Sequence, residues 1–219
     1  MGLIHNWDLG YKEAASLQKK LAKEIIKENR VGNIKRIAGI DVKYRRKEDR
    51  LYCAVLVLDY PSLELIESKT SIAQSTYPYV PGLLSFREGP VVMDCFSYIE
   101  NMPDLLFFDG NGYMHPRRMG LASHLGLLVD KPSIGIAKSK LLGSYSPPPA
   151  SKGNYNYVTD GGEVIGAAVV TRDRTKPVFV SIGHKVSLSF AIDITLKLSK
   201  YRVPEPTRLA HNFLKKEFG

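Results

Sequence analysis

Asp41 and Asp109 stand where a folded chain does not put carboxylates without a use for them. Ile37-Ala38-Gly39-Ile40-Asp41-Val42-Lys43-Tyr44 is apolar enough to be a central strand, with the aspartate inside it. Asp is depleted in strands because its side chain competes for backbone groups and resists burial. Left unpaired there, it costs on the order of several kcal/mol, so it needs a cation, a metal or a proton. In Leu105-Leu106-Phe107-Phe108-Asp109-Gly110-Asn111-Gly112, four large apolar residues read as a buried strand that ends on a carboxylate. Two glycines that let backbone approach a ligand follow, then His115, Arg117 and Arg118. An α/β sheet keeps its chemistry at such strand ends; the plainer reading is a βα turn with Asp109 as a cap. Asp41 shares strand parity with Ile37 and Gly39, and Asp109 with Leu105 and Phe107, so neighbouring strands would bring both acids to one spot. At about 4 Å and an effective dielectric near 20 they would repel by roughly 4 kcal/mol, a sign that a divalent cation reverses.

Glu88 is the third acid. Ser85-Phe86-Arg87-Glu88-Gly89-Pro90 leads into a segment with helical spacing over residues 91–99, and Glu88 falls on the face of Val91, Val92 and Cys95. Stabilisation by the helix macrodipole is the purely structural account of a Glu there. Beside two other acids it points instead to oxygen-only ligation, which suits Mg²⁺ or Mn²⁺ and phosphoryl chemistry.

Hydrophobic spacing outlines the elements that must position these groups. Residues 14–27 alternate apolar and basic at helical spacing. A strand over 35–44 turns through a charged tip into one over 51–58, and 63–72 reads as a third strand. Strand 104–108 precedes a helix over 119–129, and strand 133–137 follows. Pro147-Pro148-Pro149 with Lys152-Gly153-Asn154 marks an exposed loop. Strands over 164–171 and 178–182 lead to helices over 188–199 and 207–218. Three antiparallel strands followed by parallel strands on crossover connections predict an α/β mixed sheet with helices on both faces. No repeat or linker interrupts it, so one domain is expected over residues 1–219.

The 219 residues carry a net charge of +9, so the surface should attract a polyanion, although charge alone names none. Cys53 and Cys95 lack metal-ligand spacing and imply a reducing compartment without a disulfide framework. The N-terminal stretch has no basic region followed by an apolar run, and no segment reaches membrane-spanning length. A cytoplasmic protein with no membrane partner is expected.

Three motifs carry a family resemblance: Ile37-Ala38-Gly39-Ile40-Asp41, Tyr77-Pro78-Tyr79-Val80-Pro81-Gly82-Leu83-Leu84-Ser85-Phe86-Arg87-Glu88, and Asp109-Gly110-Asn111-Gly112-Tyr113-Met114-His115-Pro116-Arg117. With Ile134-Gly135-Ile136-Ala137-Lys138-Ser139-Lys140-Leu141 and Arg208-Leu209-Ala210-His211, the chain resembles endonuclease V over nearly its whole length. The resemblance implies an RNase H-like fold and a monomeric DNA repair nuclease. It would cleave DNA, duplex or single-stranded, at deoxyinosine in the presence of Mg²⁺, with Mn²⁺ able to substitute. Asp41 and Asp109 would then be metal ligands, with Glu88 binding directly or through water. Lys138, in phase with Ile134 and Ile136, would pair with an acid or a phosphate, or else reach solvent from the strand mouth. His211, three and seven residues before Leu214 and Phe218, would lie near the metals or serve as a packing residue.

Pro78-Tyr79-Val80-Pro81 is a rigid turn carrying an aromatic, which in isolation is an ordinary Pro-rich loop. In the family it is the wedge that fills the gap left by a displaced base. Gly82, Leu84, Gly110, Gly112, His115, Leu121 and Leu141 would bind the substrate, most of them lining a pocket for hypoxanthine. Its O6 acceptor, replacing the amino donor of adenine, suits backbone amides. Two other readings share parts of this pattern. One is an RNase H-like nuclease acting on inosine-containing RNA or other structured nucleic acid. The other is a non-catalytic nucleic-acid-binding module, which has no reason to bury three acids facing a polyanion.

Overall fold

The computed structural model describes residues 5–219; residues 1–4, part of the stretch read for a leader, lie outside it. Ten-residue strands β1 (Arg36–Arg45), β2 (Arg50–Asp59) and β3 (Leu65–Gln74) form an antiparallel meander, with the charged tip between Arg45 and Arg50. β4 (Leu105–Asp109) and β5 (Ser133–Ala137) add in parallel after crossovers through α2 (Leu84–Ser97) and α3 (Leu121–Val129). Next come β6 (Tyr155–Asp160), β7 (Glu163–Val169) and β8 (Val178–His184), then α4 (Leu188–Lys197) and α5 (Glu205–Phe218). The sheet has eight strands in the order β3-β2-β1-β4-β5-β8-β7-β6. It is the mixed α/β sheet expected, with one correction: after β5 the chain returns to antiparallel pairing, and β6 is a strand that hydrophobic spacing did not reveal. α1 (Tyr11–Leu21) is also shorter than its apolar pattern, passing into a single 3-10 turn at Ala22–Glu24.

Strand alternation divides the core. Ala38, Ile40, Leu106 and Phe108 face α2 and α3, meeting Val91, Val92, Cys95 and Leu125. Ile37, Leu105 and Phe107 point to the opposite face, where Ala210 of α5 and Ala191 of α4 lie. Gly39 permits the close approach of α5, since a Cβ there would lie 1.9 Å from the carbonyl oxygen of Pro206. That contact sets the helix low on the sheet, with its next turn over the mouth of β1. No described helix is long and apolar enough to cross a membrane.

Candidate active site

Parallel register does most of the positioning. β1 and β4 pair Ile37 with Leu105 through Ile40 with Phe108, so the next step sets Asp41 beside Asp109. α5 then lowers His211 onto Asp41, with Nδ1 2.9 Å from the carboxylate Oδ2. Donor atoms of Asp41, Asp109 and His211 lie within 4.8 Å of one another. Lys138, one residue past β5, reaches Asp109 at 2.6 Å; its side chain is 43% exposed, so it is a rim group and not a buried one. Glu88 lines the same open cleft of about 580 Å³ without joining the 4.8 Å cluster. Its setting corrects one expectation. α2 begins at Leu84 and runs through Pro90, which places Glu88 beyond the first turn, where the macrodipole has faded.

The electrostatics of the cleft are unfavourable without a cation. Burial raises the Asp41 carboxyl above the ordinary range and the charge of Asp109 adds to this, outweighing His211. Burial, with the charge of Asp41 next, pushes Glu88 up to about 8. Carboxylate oxygens arranged this way fit a hard divalent ion, which would lower all these costs together. A stability measurement follows. Folded Glu88 keeps its proton up to about pH 8 and unfolded Glu88 only to about 4.5, so stability falls as pH rises between those values. His115, held down at about 4 by burial and the Arg117 charge, and His124, at about 3 by burial, act in the opposite direction, and only below about pH 6.5. Between pH 6.5 and 8 the metal-free protein should therefore lose about 1 kcal/mol per pH unit, and Glu88→Gln should flatten the slope. Urea titrations in chelator decide this; a slope surviving in the variant would place the proton on another group.

Beside the cleft, sharing Leu84 as a wall, lies a cavity of about 120 Å³. That is far below the roughly 300–1,000 Å³ of a drug-sized pocket and suits one flat ring system. Tyr79, Val80, Pro81, Gly82, Leu84, His115, Leu121 and Leu141 all line it, so the loop expected as a wedge forms one wall. Pro78 is exposed and outside the lining. Gly110 and Gly112 are a correction. They do not line the cavity, and their amides are already used, Gly110 donating to the Ile136 carbonyl and Gly112 to Ser181 Oγ, each at 2.9 Å. Between them Asn111 enters the lining, its Oδ1 buried with no hydrogen-bond partner among the described residues. Gln18 of α1 was not foreseen either. It accepts from Arg117 Nε at 2.6 Å and donates to the Met119 carbonyl at 3.0 Å. Arg117 and the neutral His115 both donate to the carbonyl of Gly82, at 2.6 and 3.0 Å, fastening the base of the Tyr79 loop.

Comparison with known proteins places this geometry. The sequence profile of the endonuclease V family matches residues 19–212. The chain is 47% identical over 209 residues to endonuclease V of Dictyoglomus thermophilum, covering 95% of this chain and 91% of that protein. The crystal structure of endonuclease V from Streptomyces avermitilis superposes with a TM-score of 0.91 at 39% identity, over 97% of this chain and 94% of that one. Ciona intestinalis endonuclease V, crystallised with a 24mer DNA containing an inosine followed by a ribo-adenosine, gives a TM-score of 0.81 at 29% identity, over 94% and 96% of the two chains.

Proposed function

The chain belongs to the endonuclease V family, and from that premise we propose that it is a DNA repair endonuclease that recognises deoxyinosine, the product of adenine deamination. It hydrolyses the second phosphodiester bond 3′ to the lesion, leaving a 3′-hydroxyl and a 5′-phosphate. Residues 1–219 act as one catalytic domain, monomeric and cytoplasmic. The observation that carries this reading is a carboxylate cleft sharing a wall with a cavity sized for one base.

Asp41 and Asp109 would hold Mg²⁺ or Mn²⁺, with Glu88 directly or through water. Such an ion, when bound, supplies Lewis-acid charge and lowers the pKa of a coordinated water. Protein groups do the remaining work. Lys138 fixes Asp109 and presents a cation at the cleft rim, where negative charge grows on the phosphate. His211 donates from Nδ1 to Asp41, which leaves Nε2 as the nitrogen able to take or pass a proton. Above the cavity, the loop from Tyr79 to Gly82 fills the space a flipped base vacates. Within it, Asn111 Oδ1 offers an acceptor to the N1–H that hypoxanthine carries and adenine lacks.

Nicking of matched strands containing deoxyinosine, inosine or deoxyuridine, with Mg²⁺ and with chelator, tests the proposal. A single Mg²⁺-dependent nick at the second bond 3′ to deoxyinosine is expected. Preference for inosine in RNA would overturn the DNA assignment, and undiminished cleavage in chelator would overturn the metal.

A further inference from the structure

The edge of the sheet that carries the carboxylates continues well past the cleft. Asp109 pairs with Ile136, Ala137 with Phe179, Val178 with Val169, and Val169 with Tyr155, so β6 starts on that same edge. Four strand steps separate β4 from β6, about 19 Å at roughly 4.8 Å each. The loops along this edge are fastened to one another. Arg202 donates to the carbonyls of Lys138 and Pro177 at 2.7 and 3.1 Å, and Lys152 Nζ to that of Ser199 at 2.9 Å. The Arg174 amide donates to the Ala150 carbonyl at 2.8 Å. They present the exposed cations Lys152, Arg172, Arg174, Lys176 and Lys200, with Asp173 the single acid of these loops. Exposed Tyr201 lies among them, with the guanidinium groups of Arg172 and Arg208 5.8 and 4.6 Å from its ring centre.

A ledge of like charges carried on fastened loops repels itself unless a polyanion lies on it. None of the five cations lines the cleft or the base cavity. The cavity takes its walls from α1, α2 and α3, with Leu141 of the loop after β5, whereas the ledge leaves the cleft rim at Lys138 through Arg202 and runs along the sheet edge. Cavity and ledge therefore approach the carboxylates from different directions, one from the helix face and one along the sheet edge. We propose that the ledge binds the DNA backbone on the 3′ side of the cut, as a contact surface separate from the lesion pocket. The direction rests on the cleavage 3′ to the lesion proposed above. At roughly 3.4 Å per step, 19 Å spans about five or six base pairs, and Arg and Lys groups on fastened loops hold register through phosphates.

The test is a triple variant, Arg172→Ala with Arg174→Ala and Lys176→Ala, against a charge-matched control on the exposed face of α1, Lys12→Ala with Lys19→Ala and Lys20→Ala. Both should melt at the wild-type temperature. Binding to a 30-mer duplex is titrated in NaCl without divalent ions, on undamaged and deoxyinosine DNA. The ledge variant should lower the slope of log K against log salt by about 2–3 units, near 0.9 for each lost phosphate contact, and the control should not. Shortening the duplex from about ten to three base pairs beyond the cut should weaken wild-type binding at least about tenfold and the variant clearly less, since only Lys152 and Lys200 remain on its ledge. Equal slopes in variant and wild type, or wild-type indifference to the 3′ length, would overturn the proposal. Salt slopes on undamaged DNA need no lesion, so a wild-type protein blind to deoxyinosine would count against the functional reading alone.

Discussion

Asp109→Asn is expected to abolish strand cleavage while DNA binding stays at wild-type strength or tightens. The substitution keeps the shape of the side chain at the end of β4, so the parallel register with β1 and β5 has no reason to change. Lost is one negative charge from a group whose donor atoms lie within 4.8 Å of Asp41 and His211. A neutral amide is a weaker ligand for a hard cation than a carboxylate. It also removes the anionic partner of Lys138, now 2.6 Å away. Deleting one preorganised charge-stabilising group costs about 10²–10³-fold, and a ligand to the ion should cost at least that. Binding moves the other way, because less negative charge faces the phosphates and Lys138 is released toward them. Single-turnover nicking and fluorescence anisotropy on the same deoxyinosine duplex separate the two effects. Cleavage at the wild-type rate would remove Asp109 from the site.

That acid was legible in the sequence because its setting broke a local rule. A carboxylate inside or ending an apolar run conflicts with strand chemistry, and period-two parity predicts which face it takes; Asp41 and Asp109 needed only to be neighbours. Glu88 was legible as a residue but not in its setting. Pro90 reads as a boundary, yet within a helix it removes a single donor, and α2 runs through it from Leu84. β6 was missed because Tyr155-Asn156-Tyr157-Val158-Thr159-Asp160 buries little beyond Val158, so no apolar alternation marks it. The signal was in the turn. Gly161 and Gly162 both have positive φ, 60° and 83°, the two-residue hairpin connection that glycine pairs favour. Gln18 left no trace, since a polar residue reaching a cavity from another element has no period to betray it; Asn111 stood in the motif between the two glycines but was not singled out. The amides of Gly110 and Gly112 failed for a related reason. Glycine reports close approach, and here the approaching groups belong to this same chain: a Cβ would lie 3.2 Å from Leu121 Cδ2 at Gly110 and 2.1 Å from the Ile182 carbonyl oxygen at Gly112, while the amides are taken by Ile136 and Ser181.

Tyr79→Ala should weaken recognition of deoxyinosine in duplex DNA by about 10- to 100-fold and affect single-stranded substrate less. Tyr79 is 68% exposed, while both flanks of its loop are anchored. On one side the Tyr77 hydroxyl donates to the Leu9 carbonyl at 3.0 Å and its ring packs 5.8 Å from Phe86. On the other, Leu83 N donates to the Val80 carbonyl at 2.9 Å, and His115 and Arg117 hold Gly82. Pro78 and Pro81 restrict what lies between, so little backbone entropy remains to be lost on binding. An exposed ring on fixed supports at the rim of a one-base cavity is placed to stack where a base has left. Flipping costs a few kcal/mol in unstacking and unpairing, least for a weakly paired base such as hypoxanthine. Stacking of an aromatic against a base recovers roughly 1–3 kcal/mol, which converts to the 10- to 100-fold range. In a single strand the base is already free, and that recovery matters less. Side-by-side binding of wild type and variant to the two substrates is the measurement. Equal losses on both would make the loop a general DNA contact with no part in holding the duplex open.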